Sequence, residues 1–314
     1  MTNERVLVTG AAGFIGSHLC RRLVADGYDV VGLDDLSDGS LENLSDLPEV
    51  RLAEADLRDG AAVASAARGC TAIFHQGAKR SVLRSMIDPV VTADVNVGGT
   101  LHVLLAAREH GAVVVSASSS SVYGDQERFP LRETFEPRPR SPYAVSKLSA
   151  EVWCSGMYRS FGVPAVSLRY FNVYGPGMDP ESEYALVVPL FVAACIEGRS
   201  PVIEGDGQQS RDFTYIDDVV EANLLAARAP SEALGRAFNI GGGRRPTSIN
   251  RLLELISREV GAPPSPVYRD PRPGDVRTTH ADVTLARTML GYEPAVGIEE
   301  GIRRTVASVR GVSV

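Results

Sequence analysis

At 314 residues, with 44% hydrophobic and 23% charged side chains, the chain has the length and composition of one large or two intimately joined globular domains. A net charge of −7 gives no basic footprint and argues against nucleic acid, and no apolar run approaches the roughly 20 residues a membrane span needs. "MTNE" leads straight into an apolar strand rather than a secretory signal. Cys20, Cys70, Cys154 and Cys195 are scattered without zinc-site or disulfide spacing, so a cytoplasmic protein with reduced thiols and no bound metal is expected.

The first half alternates short β-branched runs with helix-like segments, the pattern of a doubly wound, Rossmann-type α/β fold with a parallel sheet. Candidate strands are "RVLVT" (5–9), "DVVGLD" (29–34), "VRLAEAD" (50–56), "AIFHQG" (72–77), "VVVSAS" (113–118) and "AVSLRYF" (165–171). Between the first two, Ile15, Leu19 and Leu23 repeat at helical spacing and Gly27 reads as a helix stop; residues 92–109 are helical in the same way. Past Tyr174, "YGPGMDPESEY", "EGDGQQSRD" and "PRPGDVR" set long Gly/Pro-rich loops around shorter helices. The expected division is a dinucleotide-binding domain over 1–173, with 211–243 returning to it, and a smaller C-terminal α/β substrate lobe made mainly from 174–314.

"VLVTGAAGFIGSHL" is a strand, a glycine-rich turn and a helix start, with Gly10, Gly13 and Gly16 three apart and Phe14 and Ile15 opening the helix. Glycine permits the tight turn and lets backbone N–H groups reach a pyrophosphate at a helix N-terminus, where the dipole also favours an anion. A glycine triplet alone is a weak signal. Its place in the first strand-to-helix turn, with Asp34 ending the next strand at the distance of a ribose contact, is a strong one. Asp34, reinforced by Asp35, repels a 2′-phosphate, which selects NAD over NADP.

In "SPYAVSKLSAE", Tyr143 and Lys147 lie four apart on what reads as an amphipathic helix, so both point to one side. Taken alone, the pair is as readily a coincidence of surface residues as half of an active site. Upstream, "SASSSSVYG" ends the fifth strand with a run of serines, and ligands of a doubly wound sheet bind outside the carboxyl ends of its strands. The serines, the glycine turn and the Tyr143 helix should therefore converge.

Taken in order, "TGAAGFIG", "SSSSVYG", "SPYAVSK", "LRYFNVYGP", "GDGQQSRDFTYIDD" and "PRPGD" resemble the motifs of extended short-chain dehydrogenases, within them the nucleotide-sugar epimerase/dehydratase group and above all the UDP-glucose 4-epimerases. The resemblance runs from residue 9 to about 282. It implies Tyr143 as general base, Lys147 on the nicotinamide ribose, and Ser119, four residues before the tyrosine of "VYG", sharing the proton. A phenol titrates near about 10, so the lysine and the positive nicotinamide are expected to pull Tyr143 down by about 3 units. By the same resemblance Asp56 and Leu57 meet the adenine, Arg80 and Asn96 approach the cofactor, and Ser120, Asn172, Val188, Arg211, Arg272 and Asp275 belong to the nucleotide-sugar site. Ser118, Ser120 and Ser121 are read equally as pocket residues or as partners of strand-end backbone. Lys79, an unusual second cation beside Arg80, either touches a phosphate or lies outside the pocket.

The fold supports several reactions, so residues must choose among them. The 4,6-dehydratases carry an acid pair just before "VYG", where this chain has Ser120 and Ser121. Epimerases of UDP-glucuronate place an arginine just after "VYGP", where Gly177, Met178 and Asp179 follow here, with Glu181 close behind. A neutral UDP-hexose is expected, and Thr279, small at the position that gates an N-acetyl group, admits UDP-GlcNAc and UDP-GalNAc. The alternatives are a UDP-glucuronate 4-epimerase, a nucleotide-sugar dehydratase such as a 5,6-dehydratase, and a redox-sensing relative, the last disfavoured because Ser119, Tyr143 and Lys147 are all present. The resemblance also implies a homodimer formed through the tyrosine helix and the one near 92–109.

Overall fold

Seven parallel strands, β1 (Arg5–Thr9), β2 (Asp29–Asp34), β3 (Arg51–Glu54), β4 (Cys70–His75), β5 (Val113–Ser119), β6 (Ala165–Tyr170) and β7 (Ala237–Ile240), form one sheet in the order β7-β6-β5-β4-β1-β2-β3. The computed structural model describes residues 4–180, 186–263, 265–271 and 276–311. The chain builds outward from β1 to β3, then crosses back to β4 and builds the other way. Strand order thus reverses between β1 and β4, the crevice where doubly wound sheets bind ligands.

Alternate strand residues feed two cores. Val6 and Val8 of β1 join one that runs through Val115 and Val166 to Ile249, Leu252 and Ile302 in the C-terminal helices. Leu7, Leu33, Ile73 and Val114 face the other, against Val103, Leu104, Cys154 and Met157. The C-terminal part therefore shares its hydrophobic core with the sheet.

Helix α1 (Phe14–Ala25) buries Leu19, Cys20 and Leu23 and stops before Gly27, which is left-handed at φ +85°. Residues Pro89–His110 form a continuous helix: a short α-helix (Pro89–Ala93), a π-turn (Asp94–Gly98) and α2 (Gly99–His110). This corrects the expectation about apolar runs, since the helix has 22 residues, with a mean hydropathy of 1.4 in its most apolar window, and is long and apolar enough by composition to span a membrane. Half of that window is buried inside the fold. Helix α3 (Pro142–Phe161) starts where Ser141 Oγ accepts from Ala144 N at 3.1 Å, with proline in its first turn, and ends at left-handed Gly162.

β4 starts earlier than expected and ends at His75, because Gln76 N turns to Thr9 O and Gly77 N to Thr9 Oγ1. β3 is shorter than expected, so Asp56 stands beyond it.

Candidate active site

The glycine-rich turn is held by backbone. Gly10, at φ +68°, donates its N–H to Leu33 O at 2.7 Å, and Gly13 caps α1 without any side chain. A Cβ on Gly16 would stand 1.9 Å from Gly10 O, and one on Gly10 2.7 Å from Gly77 N. Side chains cannot enter, so the N-terminus of α1 is lined by bare peptide.

Asp34, buried at the end of β2, accepts from Ala12 N and Leu36 N, each at 2.9 Å, and so ties the second strand's loop to the glycine turn. Burial pushes its carboxyl above the usual range, and the two N–H bonds pull the other way. Asp35 Oδ1 accepts from Ser37. Asp56 pairs with Arg58, whose hydrogen bond holds the carboxyl below its usual range, and Leu57 is buried beside it in the sequence. Asn96, set in the π-turn, pairs with the Lys79 peptide in both directions, accepting from its N–H at 2.7 Å and donating to its C=O at 3.0 Å. Its Nδ2 also donates to Ser146 Oγ at 2.9 Å, which in turn donates to Tyr143 O.

Tyr143 and Ser119 meet. The Ser119 hydroxyl, at the carboxyl end of β5, lies near enough to the Tyr143 phenol, in the first turn of α3, to bear on its titration. Burial raises the phenol above its ordinary value, while Ser119 and the Arg80 charge lower it. In the protein alone desolvation outweighs both; the expected downward shift counts the nicotinamide's positive charge as well. Lys147 does not act on the phenol here. Its Nζ donates to Ala117 O at 2.8 Å, and burial pulls its pKa down to about 8.

The serine run divides. Ser121 Oγ donates to Ser119 Oγ at 2.9 Å, and Ser120 is partly exposed beside them. Ser118 turns inward and donates to Glu151 Oε1 at 2.5 Å, which removes it from the site.

Beyond β6, Asn172 adopts a left-handed φ of +32° and donates to Asp212 O and Thr279 Oγ1, both at 3.0 Å. Thr279 Oγ1 also accepts from Asp212 N at 3.1 Å. The Asp212 carboxylate accepts from Gly242 N and Ala281 N, and burial pushes it up to about 6. Arg211 donates to Ser210 O at 2.9 Å. Val188 is 1% exposed and belongs to the main core. Arg272, Asp275 and Glu181 lie outside the described residues.

The chain matches the NAD dependent epimerase/dehydratase family over residues 6–241. It belongs to that family. Among its relatives is the UDP-glucose 4-epimerase of Mycolicibacterium smegmatis, 43% identical over 98% of this chain and 99% of that one. Among solved structures, the UDP-glucose 4-epimerase of Thermotoga maritima with UDP-glucose is 38% identical with a TM-score of 0.92, covering 98% and 99% of the two chains. The UDP-N-acetylglucosamine 4-epimerase of Methanobrevibacter ruminantium, in complex with UDP-N-acetylmuramic acid, is 36% identical with a TM-score of 0.93, covering 99% of each. UDP-glucuronate 4-epimerases and a dTDP-glucose 4,6-dehydratase also match, at 30 to 34% identity.

As an NAD-dependent epimerase/dehydratase, the protein needs a pyrophosphate cradle, and the turn fits one: side chains at Gly10 and Gly16 would strike neighbouring backbone, and Gly13 opens α1 with bare peptide.

Two polar networks behind the site were not read from the sequence. Glu151, one turn beyond Lys147 on α3, makes a buried bidentate ion pair with Arg169 of β6, with contacts of 2.9 and 2.7 Å. Arg169 also donates to Tyr123 Oη, which donates to Asn239 Oδ1 on β7, so α3, β5, β6 and β7 are locked in register behind Ser119. The i, i+4, i+8 spacing of Tyr143, Lys147 and Glu151 was the available signal. The other network is His75. Thr100 Oγ1 spends its proton on Asn96 O, so His75 Nε2 donates to Thr100 and Nδ1 accepts from Thr9 Oγ1. Burial lowers its pKa to about 3, consistent with that neutral tautomer.

Proposed function

We propose that this protein is a UDP-hexose 4-epimerase that inverts C4 through a transient 4-keto sugar, acting on UDP-glucose and UDP-galactose and admitting their N-acetylated counterparts. The observation that carries the reading is the nearness of Ser119, at the carboxyl end of β5, to the Tyr143 phenol on which it bears, with Lys147 one helical turn further on the tyrosine's helix. Tyr143 takes the proton of the sugar 4-hydroxyl, and Ser119 holds that hydroxyl and shares the proton. When bound, NAD would supply a reversible acceptor for the C4 hydride. Lys147 is assigned to the nicotinamide ribose.

Gly10, Gly13, Phe14, Ile15 and Gly16 are assigned to the pyrophosphate, Asp34 and Asp35 to the adenosine ribose, and Asp56 and Leu57 to the adenine. Arg80 and Asn96 are assigned to positions near the cofactor. Ser120, Asn172, Arg211 and Thr279, with Arg272 and Asp275, are assigned to the UDP-sugar. Guanidinium groups suit its diphosphate because their fork matches phosphate oxygens.

Ser121 supports epimerisation over 4,6-dehydration, because its hydroxyl donates to Ser119 where an acid pair would be needed. Asp179 supports a neutral sugar, since a glucuronate carboxylate near it would meet like charge.

Exposed apolar side chains on neighbouring helices, Val90 and Leu105 on one and Val145, Val152 and Trp153 on the other, support a homodimer through these faces. The protein is assigned to the cytoplasm.

The test is to incubate purified protein, without added NAD, with UDP-galactose, UDP-GalNAc and UDP-glucuronate separately and to read products by NMR and mass. Isomers of unchanged mass from the first two support the reading. A product lighter by one water, or turnover of the glucuronate alone, would overturn it.

A further inference from the structure

Lys79, the second cation of "HQGAKRSV", lies in the loop that leaves β4. Its Nζ donates to Asp38 Oδ2 at 2.9 Å and to Ser37 Oγ at 2.6 Å, both in the loop that leaves β2. β4 and β2 are the two neighbours of β1, so they stand about 9–10 Å apart with β1 and its glycine-rich turn between them. A side chain joining their outgoing loops must cross the carboxyl end of β1. It therefore spans the mouth of the switch-point crevice.

The crossing is anchored at both ends. Asp38 Oδ1 also accepts from Arg84 at 2.8 Å, a second link from the segment after β4, and on the β2 side Ser37 Oγ donates to Asp35 Oδ1 at 2.5 Å. On the β4 side, the Lys79 peptide is clamped by Asn96, which reaches the Tyr143 helix through Ser146. With side-chain exposures of 17% for Lys79 and 31% for Asp38, the pair is withdrawn enough from water to be weakened less by salt than a free surface pair.

We infer that the Lys79–Asp38 ion pair is a strap over the bound dinucleotide that sets how long NAD stays on the protein. The inference rests on the reading of the glycine-rich turn as the pyrophosphate site. Release requires the loops after β2 and β4 to part, and the strap opposes that parting. Ser119 and Asn172 follow β5 and β6, on the other side of β4, so the strap stands across the cofactor's path and leaves the sugar's path open. Lys79 is a positioning residue with no part in the chemistry. An enzyme that regenerates its cofactor in every turnover gains from such retention.

The experiment measures the rate at which radiolabelled NAD leaves the loaded protein in a chase with unlabelled NAD. Wild type is compared with Lys79→Met, Asp38→Asn, the double variant and Lys79→Arg. Each single neutral variant is expected to release NAD roughly 3- to 30-fold faster, and the double variant no faster than the faster single one. Raised salt should speed release from wild type more than from the variants, Lys79→Arg should stay near wild type, and kcat at saturating NAD should be unchanged. Release at the wild-type rate from both single variants, or fully additive effects in the double variant, would overturn the strap. Gly16→Val separates the two ideas. NAD binding that survives it defeats the pyrophosphate assignment, whereas unaltered release in the strap variants with Gly16→Val unable to bind defeats the strap alone.

Discussion

Ser119 closes β5 and Tyr143 opens α3, and the serine stands near enough to the phenol to favour its ionised form. A phenol raised by burial is a weak base until opposing influences act on it, and Ser119 and Arg80 supply two of them. Tyr143→Phe is expected to lower kcat by about 10²–10⁴ while leaving NAD bound, and Ser119→Ala by about tenfold or more. Steady-state rates with UDP-galactose, beside the NAD content of each variant, check this. A Tyr143→Phe enzyme within a few-fold of wild type would remove the tyrosine from the chemistry.

Lys147 gives a pH dependence with a definite sign. Its folded pKa of about 8 lies below the unfolded value of about 10.4. The charged form is therefore disfavoured in the fold: the cost is full below about pH 8 and is relieved as pH rises toward 10.4. Denaturant titrations of the cofactor-free protein should show the stability of wild type improving relative to Lys147→Met across that window. A difference that stays constant with pH would contradict the burial of a titrating amine.

Thr279 sits against Asn172, which holds a left-handed backbone with the help of its hydroxyl. Thr279→Tyr should lower kcat/KM for UDP-GalNAc by more than about tenfold relative to UDP-galactose, because a ring occupies space that an N-acetyl group needs. Competition between the two substrates measures the ratio directly. An unchanged ratio would place the gate elsewhere.

Val152 is 65% exposed on the outer face of α3, so a charge there costs the isolated subunit little. Val152→Glu should convert a dimer to a monomer in sedimentation experiments without lowering the thermal stability expected of a monomer. Wild type sedimenting as a monomer at micromolar concentration would refute the interface.

The six strands and the glycine turn could be read in the sequence because each is a local pattern: alternating apolar runs, glycine at fixed spacing, an acid at a strand end. β7 could not, because "AFNI" is four residues whose only qualification is its pairing with β6, far back in the chain. Tyr143 and Lys147 announced themselves by helical spacing, and Glu151 shared that spacing but needed Arg169 to give it meaning. Lys79 stayed ambiguous because its partner Asp38 lies across β1 on another loop. The burial that raises Tyr143 in the protein alone is not legible either, because sequence names nearby charges but not the depth that opposes them.

If hydride leaves and returns to the same carbon, UDP-galactose deuterated at C4 and incubated with the purified protein in ordinary water should give UDP-glucose that keeps its deuterium at C4, seen by NMR and by unchanged mass. Deuterium lost to solvent, or a product lighter by one water, would contradict it.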